Sequence, residues 1–219
     1  MYHYISPLPA NADPIRIGLT VEPQMLRQQL GILQELSYES ISLYDLQYAL
    51  ALGWPLPDKP VILTFDDGYR GLYEHALPIM QEFGYTGTIF LPTQFMDEER
   101  SEYLTWEMAL EMAIRGWHLE PHGKIHQQLS GLARDQIIYE VLGSMQTIQA
   151  HVRYKPRFFS YPSGQYDDNV IGILKEIGFW GSVTTRSELY HNLDNAYTRG
   201  RIRVDGRQTM SAFRISLGE

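Results

Sequence analysis

Val61-Ile62-Leu63-Thr64-Phe65-Asp66-Asp67-Gly68 is the stretch on which the fold turns. An apolar run without a charge is what a strand buried on both faces looks like, as in a parallel sheet, and it predicts a strand over 61–65. The two aspartates then stand at the strand's C-terminal end, where an α/β barrel builds its site. A plainer reading is equally open: Asp and Gly suit a turn, and an aspartate caps a following helix. Adjacent carboxylates point different ways, so one can hold a metal while its neighbour stays free as a base.

Working outward, the same grammar repeats. Short apolar runs predict strands over 88–91, 117–119, 158–161 and 182–184. Between them lie helices with readable ends. One runs from a Thr105 cap to Arg115 and stops at Gly116; another covers 135–150 with Ile138, Leu142 and Met145 at helical spacing; a third opens at Asp168 and closes at Gly178. Earlier, 23–36 and 43–52 read as helices, with a proline-rich loop from Trp54 to Pro60. About seven strand–helix units result, with no repeat, low-complexity stretch or linker. The expectation is α/β, a single domain over 1–219, with a barrel of parallel strands fitting better than an open sheet.

Composition removes several classes of function. The chain has 219 residues, and 18 Lys and Arg against 26 Asp and Glu give a formal charge of −8, so no basic excess exists to neutralise nucleic-acid phosphates. Cysteine is absent, which excludes disulfides, thiol nucleophiles and Cys-based zinc sites and leaves only His, Asp and Glu for a metal. No run approaches the 18 or so apolar residues of a membrane span. The start, Met1-Tyr2-His3-Tyr4-Ile5, lacks the positive region and apolar core of a signal peptide.

Two further segments carry chemistry. His122-Gly123-Lys124-Ile125-His126 follows the strand predicted at 117–119, and two imidazoles four apart can converge on one ion; a lone partly buried ring is the plain alternative for each. With Asp67 the set becomes two His and one carboxylate, a common catalytic metal arrangement. Phe159-Ser160-Tyr161-Pro162-Ser163-Gly164-Gln165-Tyr166 breaks from a strand into a rigid turn, whose backbone N–H groups suit an oxyanion.

These three segments, in this order and at these strand ends, resemble the polysaccharide deacetylases, the NodB-like domain of carbohydrate esterase family 4. Thr64-Phe65-Asp66-Asp67-Gly68 matches the family's first motif, and His122 with His126 the histidines of the second. Tyr2-His3-Tyr4, Tyr161-Pro162-Ser163-Gly164 and Arg201-Ile202-Arg203-Val204 look most like the branch of poly-N-acetylglucosamine deacetylases. The resemblance implies a distorted (β/α)7 barrel, Asp66 as general base, and Asp67, His122 and His126 holding a divalent ion, zinc first, with cobalt, nickel or manganese as alternatives. It implies an N-acetylated glycan as partner, an oxyanion donor at the Ser163 backbone, and an extracellular or cell-envelope setting. A monomer is the working expectation.

Departures from the family pattern mark the points to examine. Ser160 stands where the family's base-pairing arginine belongs, and Arg201 or Arg203 is the candidate replacement. Gly123 replaces a Ser or Thr that would hold the histidine loop, and Glu120-Pro121 is unusual before it. No Leu-x-His supplies the proton for the leaving amine; His191 is the nearest candidate. Tyr69, Tyr161, Tyr166 and Trp180 are expected in a sugar-binding groove, whereas Trp54 and Trp117 read as structural. The leading expectation is a metal-dependent N-deacetylase of chitin-like, poly-N-acetylglucosamine or peptidoglycan polymers. Its rivals are a glycan-binding pseudo-enzyme and a deacylase of O-acetyl xylan or a small cyclic amide.

Overall fold

The structure is a computed structural model and describes residues 1–218. Strands are short because each apolar run is short: β1 (Tyr4–Ile5), β2 (Thr20–Val21), β3 (Glu39–Ser40), β4 (Pro60–Val61), β5 (Thr64–Phe65), β6 (Thr88–Leu91), β7 (His118–Pro121), β8 (Phe158–Ser160) and β9 (Gly181–Val183). Every ladder between them is parallel. The helices are α1 (Pro14–Leu19), α2 (Pro23–Glu35), α3 (Leu43–Leu52), α4 (Leu77–Glu82), α5 (Thr93–Asp97), α6 (Trp106–Ile114), α7 (Arg134–Val152), α8 (Asp168–Ile177) and α9 (Met210–Ser216). Among the described residues no helix is long and apolar enough to cross a membrane.

The staves close into a ring. The N-terminal segment joins β5 through Tyr2 N–H to Thr64 O (2.8 Å) and Asp66 N–H to Tyr2 O (2.9 Å). β5 pairs with β6, β6 with β7, and β8 with β9. Beyond β9, Thr184 N–H reaches Arg199 O (2.8 Å), and the extended segment 199–204 returns to the start of the chain through Val204 N–H to Met1 O (3.1 Å). That makes seven staves and the distorted (β/α)7 barrel expected. One seam, between β7 and β8, is closed by side chains. The Glu120 carboxylate accepts from Arg157 N–H (3.0 Å) and Phe158 N–H (2.8 Å), Tyr154 Oη both accepts from and donates to the Leu119 backbone, and His122 Nδ1 meets Ser160 O at 2.7 Å.

Alternation along the staves sorts the packing. Phe65, Ile89, Leu91 and Leu119 face the helices in the main core, Phe159 and Tyr161 face α7 and α8, and Phe90, Phe158 and Val183 meet Leu43 of α3, which plugs the barrel's base.

Two expectations are corrected, and one element joins those foreseen. The strand foreseen over 61–65 is two strands, since Val61 pairs with Ser40 outside the barrel and only Thr64–Phe65 joins the ladder to β6. The strand foreseen at 117–119 runs from His118 to Pro121, leaving Trp117 as a buried core residue against Phe65. A helix after the first motif, masked in the sequence by Pro78, begins as a π-turn over Leu72–Ala76 and continues as α4. Pro78 has no N–H to give to the residue four back, which accounts for the widened turn beside it.

Glu120 is fully buried, and desolvation pushes its carboxyl up to about 8 despite the hydrogen bonds it accepts. Its folded value lies above the ordinary 4.5, so the folded state binds a proton that the unfolded chain releases. The stability it contributes is complete below about pH 4.5 and is lost as pH rises to about 8. Glu120→Gln keeps an acceptor for the two N–H groups and removes the titration. Melting temperatures across this range should fall with pH in the parent and stay flatter in the variant; parallel slopes would rule out this account.

Candidate active site

The first motif divides its two carboxylates by backbone geometry. Asp66 continues the alternation of β5 into the barrel, while Asp67 takes a left-handed conformation (φ 70°) that turns its side chain away from its neighbour's. Gly68 follows, also left-handed, where a Cβ would stand 2.7 Å from the Leu91 side chain.

Asp66 is buried and held in a fork: Arg201 Nη1 donates to Oδ1 and Nη2 to Oδ2, both at 2.7 Å. Ser160 Oγ donates to the same Oδ2 (3.3 Å) and accepts from Arg201 Nη2 (3.1 Å). Burial works to raise the Asp66 carboxyl, but the guanidinium overcomes it and holds the group well below the usual carboxylate range. The arginine missing at position 160 is thus supplied by Arg201 from the last stave, and the small Ser160 leaves room for it. Arg203 is exposed and makes no such pair.

Asp67 Oδ1 lies 3.4 Å from His122 Nε2 and 3.3 Å from His126 Nε2. The ligating atoms of all three residues fall within 4.8 Å of one another. Asp67 Oδ1 is buried and has no hydrogen-bond partner, an orphan that a cation between the three side chains would satisfy. His122 completes the fit: Nδ1–H donates to the Ser160 carbonyl, leaving the Nε2 lone pair facing the aspartate. The donor set of two imidazoles and a carboxylate suits zinc and neighbouring divalent ions.

The loop carrying the histidines is held by a residue the sequence did not single out. Glu140, buried on α7, accepts from Lys124 N–H (2.7 Å) and Ile125 N–H (3.1 Å) through Oε2. At Gly123 (φ 77°) a Cβ would sit 2.8 Å from that same oxygen, so glycine is what the carboxylate requires. The hydrogen bond lost with the family's Ser or Thr is therefore replaced twice over.

His3 was also missed as a site residue. Its charged neighbours are Asp66, Asp67, Arg201 and Arg203; burial first, and the arginines further, lower its imidazole to about 4 against the pull of the aspartates. Its Nδ1 is buried without a partner. The signal available was its position, one residue beyond Tyr2, whose backbone pairs with the first-motif strand.

The other expected site residues are dispersed. Ser163 lies exposed in a tight turn over Pro162–Gly164 with φ 59°, three residues after Ser160, whose carbonyl accepts from His122. Tyr69 is half-buried at the site end, stacked on Tyr4 (3.6 Å) and Tyr103 (5.2 Å). Tyr161 is a core residue, fully buried with its hydroxyl on Tyr197 O (3.0 Å), and Tyr166 stacks on it from outside. Trp180 precedes β9 and packs with Tyr44 and Phe158 at the barrel's base, the end opposite the aspartates. His191 has Arg199 and Glu188 as its charged neighbours and does not join the aspartates. Trp54, read as structural, is largely exposed and stacked on Tyr48.

Comparison with known proteins shows what the chain is similar to. Residues 54–181 match the family model described as polysaccharide deacetylase. YxkH of Bacillus subtilis (strain 168), named for the same family, is 27% identical over 213 residues, 97% of this chain and 73% of that one. The poly-beta-1,6-N-acetyl-D-glucosamine N-deacetylase of Escherichia coli (strain K12) is 25% identical over 205 residues, 74% of this chain but only 30% of that longer protein. The structure of the Streptococcus pyogenes deacetylase PplD in complex with acetate superposes with a TM-score of 0.91, covering 99% of this chain and 95% of that one at 24% identity, a likeness of fold. With its family model spanning more than half of the chain, the protein belongs to the polysaccharide deacetylase family.

Proposed function

We propose that the chain is a metal-dependent hydrolase that removes N-acetyl groups from an N-acetylglucosamine-containing polysaccharide, releasing acetate and leaving a free amine. The observation that carries this reading is the parting of two adjacent carboxylates: Asp67 turned to two imidazoles with an orphaned oxygen, and Asp66 clasped by Arg201. Asp67, His122 and His126 are the residues that would hold the ion, zinc by preference. When bound, such an ion acts as a Lewis acid that acidifies water and polarises a carbonyl.

The protein's own groups take the remaining roles. Asp66 stays ionised throughout the working range and accepts the proton of the attacking water. Its pairing with Arg201 keeps its basicity low, so the proton is passed on readily. His3, neutral at pH 7 and with both aspartates among its charged neighbours, is our candidate to carry that proton to the leaving amine, the role that the sequence suggests for His191. The Ser163 backbone N–H, in a turn pinned by Gly164 N–H to Tyr161 O (2.8 Å), is the proposed oxyanion donor. Tyr69 is the aromatic retained for sugar contact. The E. coli relative's name favours a β-1,6-linked N-acetylglucosamine polymer. The pseudo-enzyme reading rests on a missing arginine, a missing tyrosine and a missing leaving-group acid, and the Arg201–Asp66 pair answers the first of these.

Acetate release from N-acetylglucosamine oligomers, with and without a chelator, tests the proposal, and O-acetylated oligomers test the rival substrate. Chelator-sensitive release from the N-acetyl series is expected; release from the O-acetyl series alone would move the substrate class. Asp66→Asn should lower turnover by about 10²–10⁴-fold while metal content is unchanged. Activity within a few-fold of the parent would remove Asp66 as the base. Glu140→Ala should weaken metal affinity by roughly 10–100-fold in a competition titration, with the far-ultraviolet spectrum intact. Unchanged affinity would show that the histidine loop does not need its carboxylate.

A further inference from the structure

Arg199 and Arg201 stand two apart on the last stave, so both face the barrel interior. Arg201 has a carboxylate partner in Asp66. Arg199 has none. It is the largest fully buried side chain among the described residues, 1% exposed; its guanidinium lies over the Phe158 ring (6.0 Å), and only its Nη2 donates a hydrogen bond, to Gln47 Oε1 on α3 at 2.8 Å. Nε and Nη1 have no partner. Burial lowers its guanidinium to about 10, which leaves it a cation at neutral pH. Glu188, the acidic residue on the same cavity wall, is committed to Gly200 N–H (3.1 Å), Arg186 (3.2 Å) and Asn195 (3.4 Å). A buried cation with two idle donors is a costly arrangement unless an anion completes it.

Arg199 lines a cavity of about 310 Å³ at the barrel's base. The rest of that wall is mostly aliphatic, with Leu33, Leu46, Leu63, Val183 and Phe213 among its members, and His191, whose buried Nδ1 also lacks a partner, lies on it. Leu189 and Tyr190, 51% and 85% exposed, stand at its edge and offer apolar surface there. The volume lies at the small end of ligand pockets and, at ~30 Å³ per water-sized group, holds about ten such groups. An ordered water cluster would satisfy the two donors but leave the aliphatic wall wetted, which an apolar lining disfavours.

We propose that this cavity binds a small amphiphilic carboxylate of medium-chain fatty-acid type, its head taking Nε and Nη1 of Arg199 and its chain filling the apolar volume. None of Asp67, His122 and His126 lines the cavity, although Arg201, the partner of Asp66, is on its wall; binding there does not depend on the deacetylase reading.

Calorimetric titration of the intact protein with decanoate, and with decanol as its uncharged counterpart, tests it. Decanoate should bind one per chain, and decanol at least about tenfold more weakly, because the charge-assisted contacts are lost. Arg199→Met should bring decanoate down to the level of decanol. Leu46→Trp, which fills the volume from α3 and leaves Arg199 in place, should abolish binding of both and keeps the test available if the arginine variant does not fold. No saturable binding of decanoate to the parent, equal affinity for the two probes, or decanoate binding unaltered in either folded variant would overturn the proposal.

Discussion

The bidentate clasp of Arg201 on Asp66 is the interaction on which the site depends. It ties the last stave to the first motif across 135 residues of sequence, and it does so inside the barrel, where water does not dilute it. Two desolvated charges are expensive apart: removing one partner of such a pair typically costs about 3–5 kcal/mol. The clasp therefore acts on the fold as well as on the chemistry. It fixes which way Asp66 points, and by occupying that carboxylate it leaves Asp67 as the only acidic partner for the two histidines. The Ser160 hydroxyl, bonded to both members, belongs to this unit.

A second constraint is the seam between β7 and β8, where side chains stand in for a ladder. His122 takes part in that seam through Ser160 O, so one imidazole closes the barrel with Nδ1 and faces the cluster with Nε2. Disturbing the barrel wall here would move a member of the Asp67–His122–His126 cluster directly. The same Ser160 contributes its hydroxyl to the Asp66 clasp and its carbonyl to His122. Both halves of the site are thus registered by one small residue.

Much of this was legible beforehand because it is local. The strand end before Asp-Asp-Gly, the spacing of His122 and His126, and the Thr105 and Gly178 helix ends depend on neighbours in the chain, and these lie where the residues implied, although the run before Asp-Asp-Gly divides into two strands. What escaped reading depends on pairings distant in sequence. Neither Arg201 nor Arg203 carries a mark saying which reaches Asp66; only the return of the last stave beside Met1 decides it. Glu140 sits among helix residues like any solvated glutamate until α7 is packed against the histidine loop. Trp180 falls at the barrel's base because it comes just before a strand, not just after one, and His191 lies in the long connection from β9 to the last stave, beside Arg199 and away from the aspartates. Tyr161 was read as a groove aromatic, but alternation along β8 turns it into the helical layer.

Backbone strain shows where the fold has been bent to suit the site. Six non-glycine residues among the described ones have positive φ, and Asp67, His126 and Ser163 are three of them. Each left-handed non-glycine residue costs on the order of 1–3 kcal/mol and persists only where its surroundings over-determine it. The surroundings here do so by different means: Gly68 and the Arg201 clasp at either side of Asp67, the two N–H bonds to Glu140 ahead of His126, and the short Pro162–Gly164 turn around Ser163. At two of these positions the strained residue is itself a member of the orphaned cluster, where loss of side-chain direction would separate groups that now lie within 4.8 Å. A turn chosen only for its geometry would carry glycine or asparagine at such places. Aspartate and histidine there indicate that the side chain, and not the turn, was what the position had to supply.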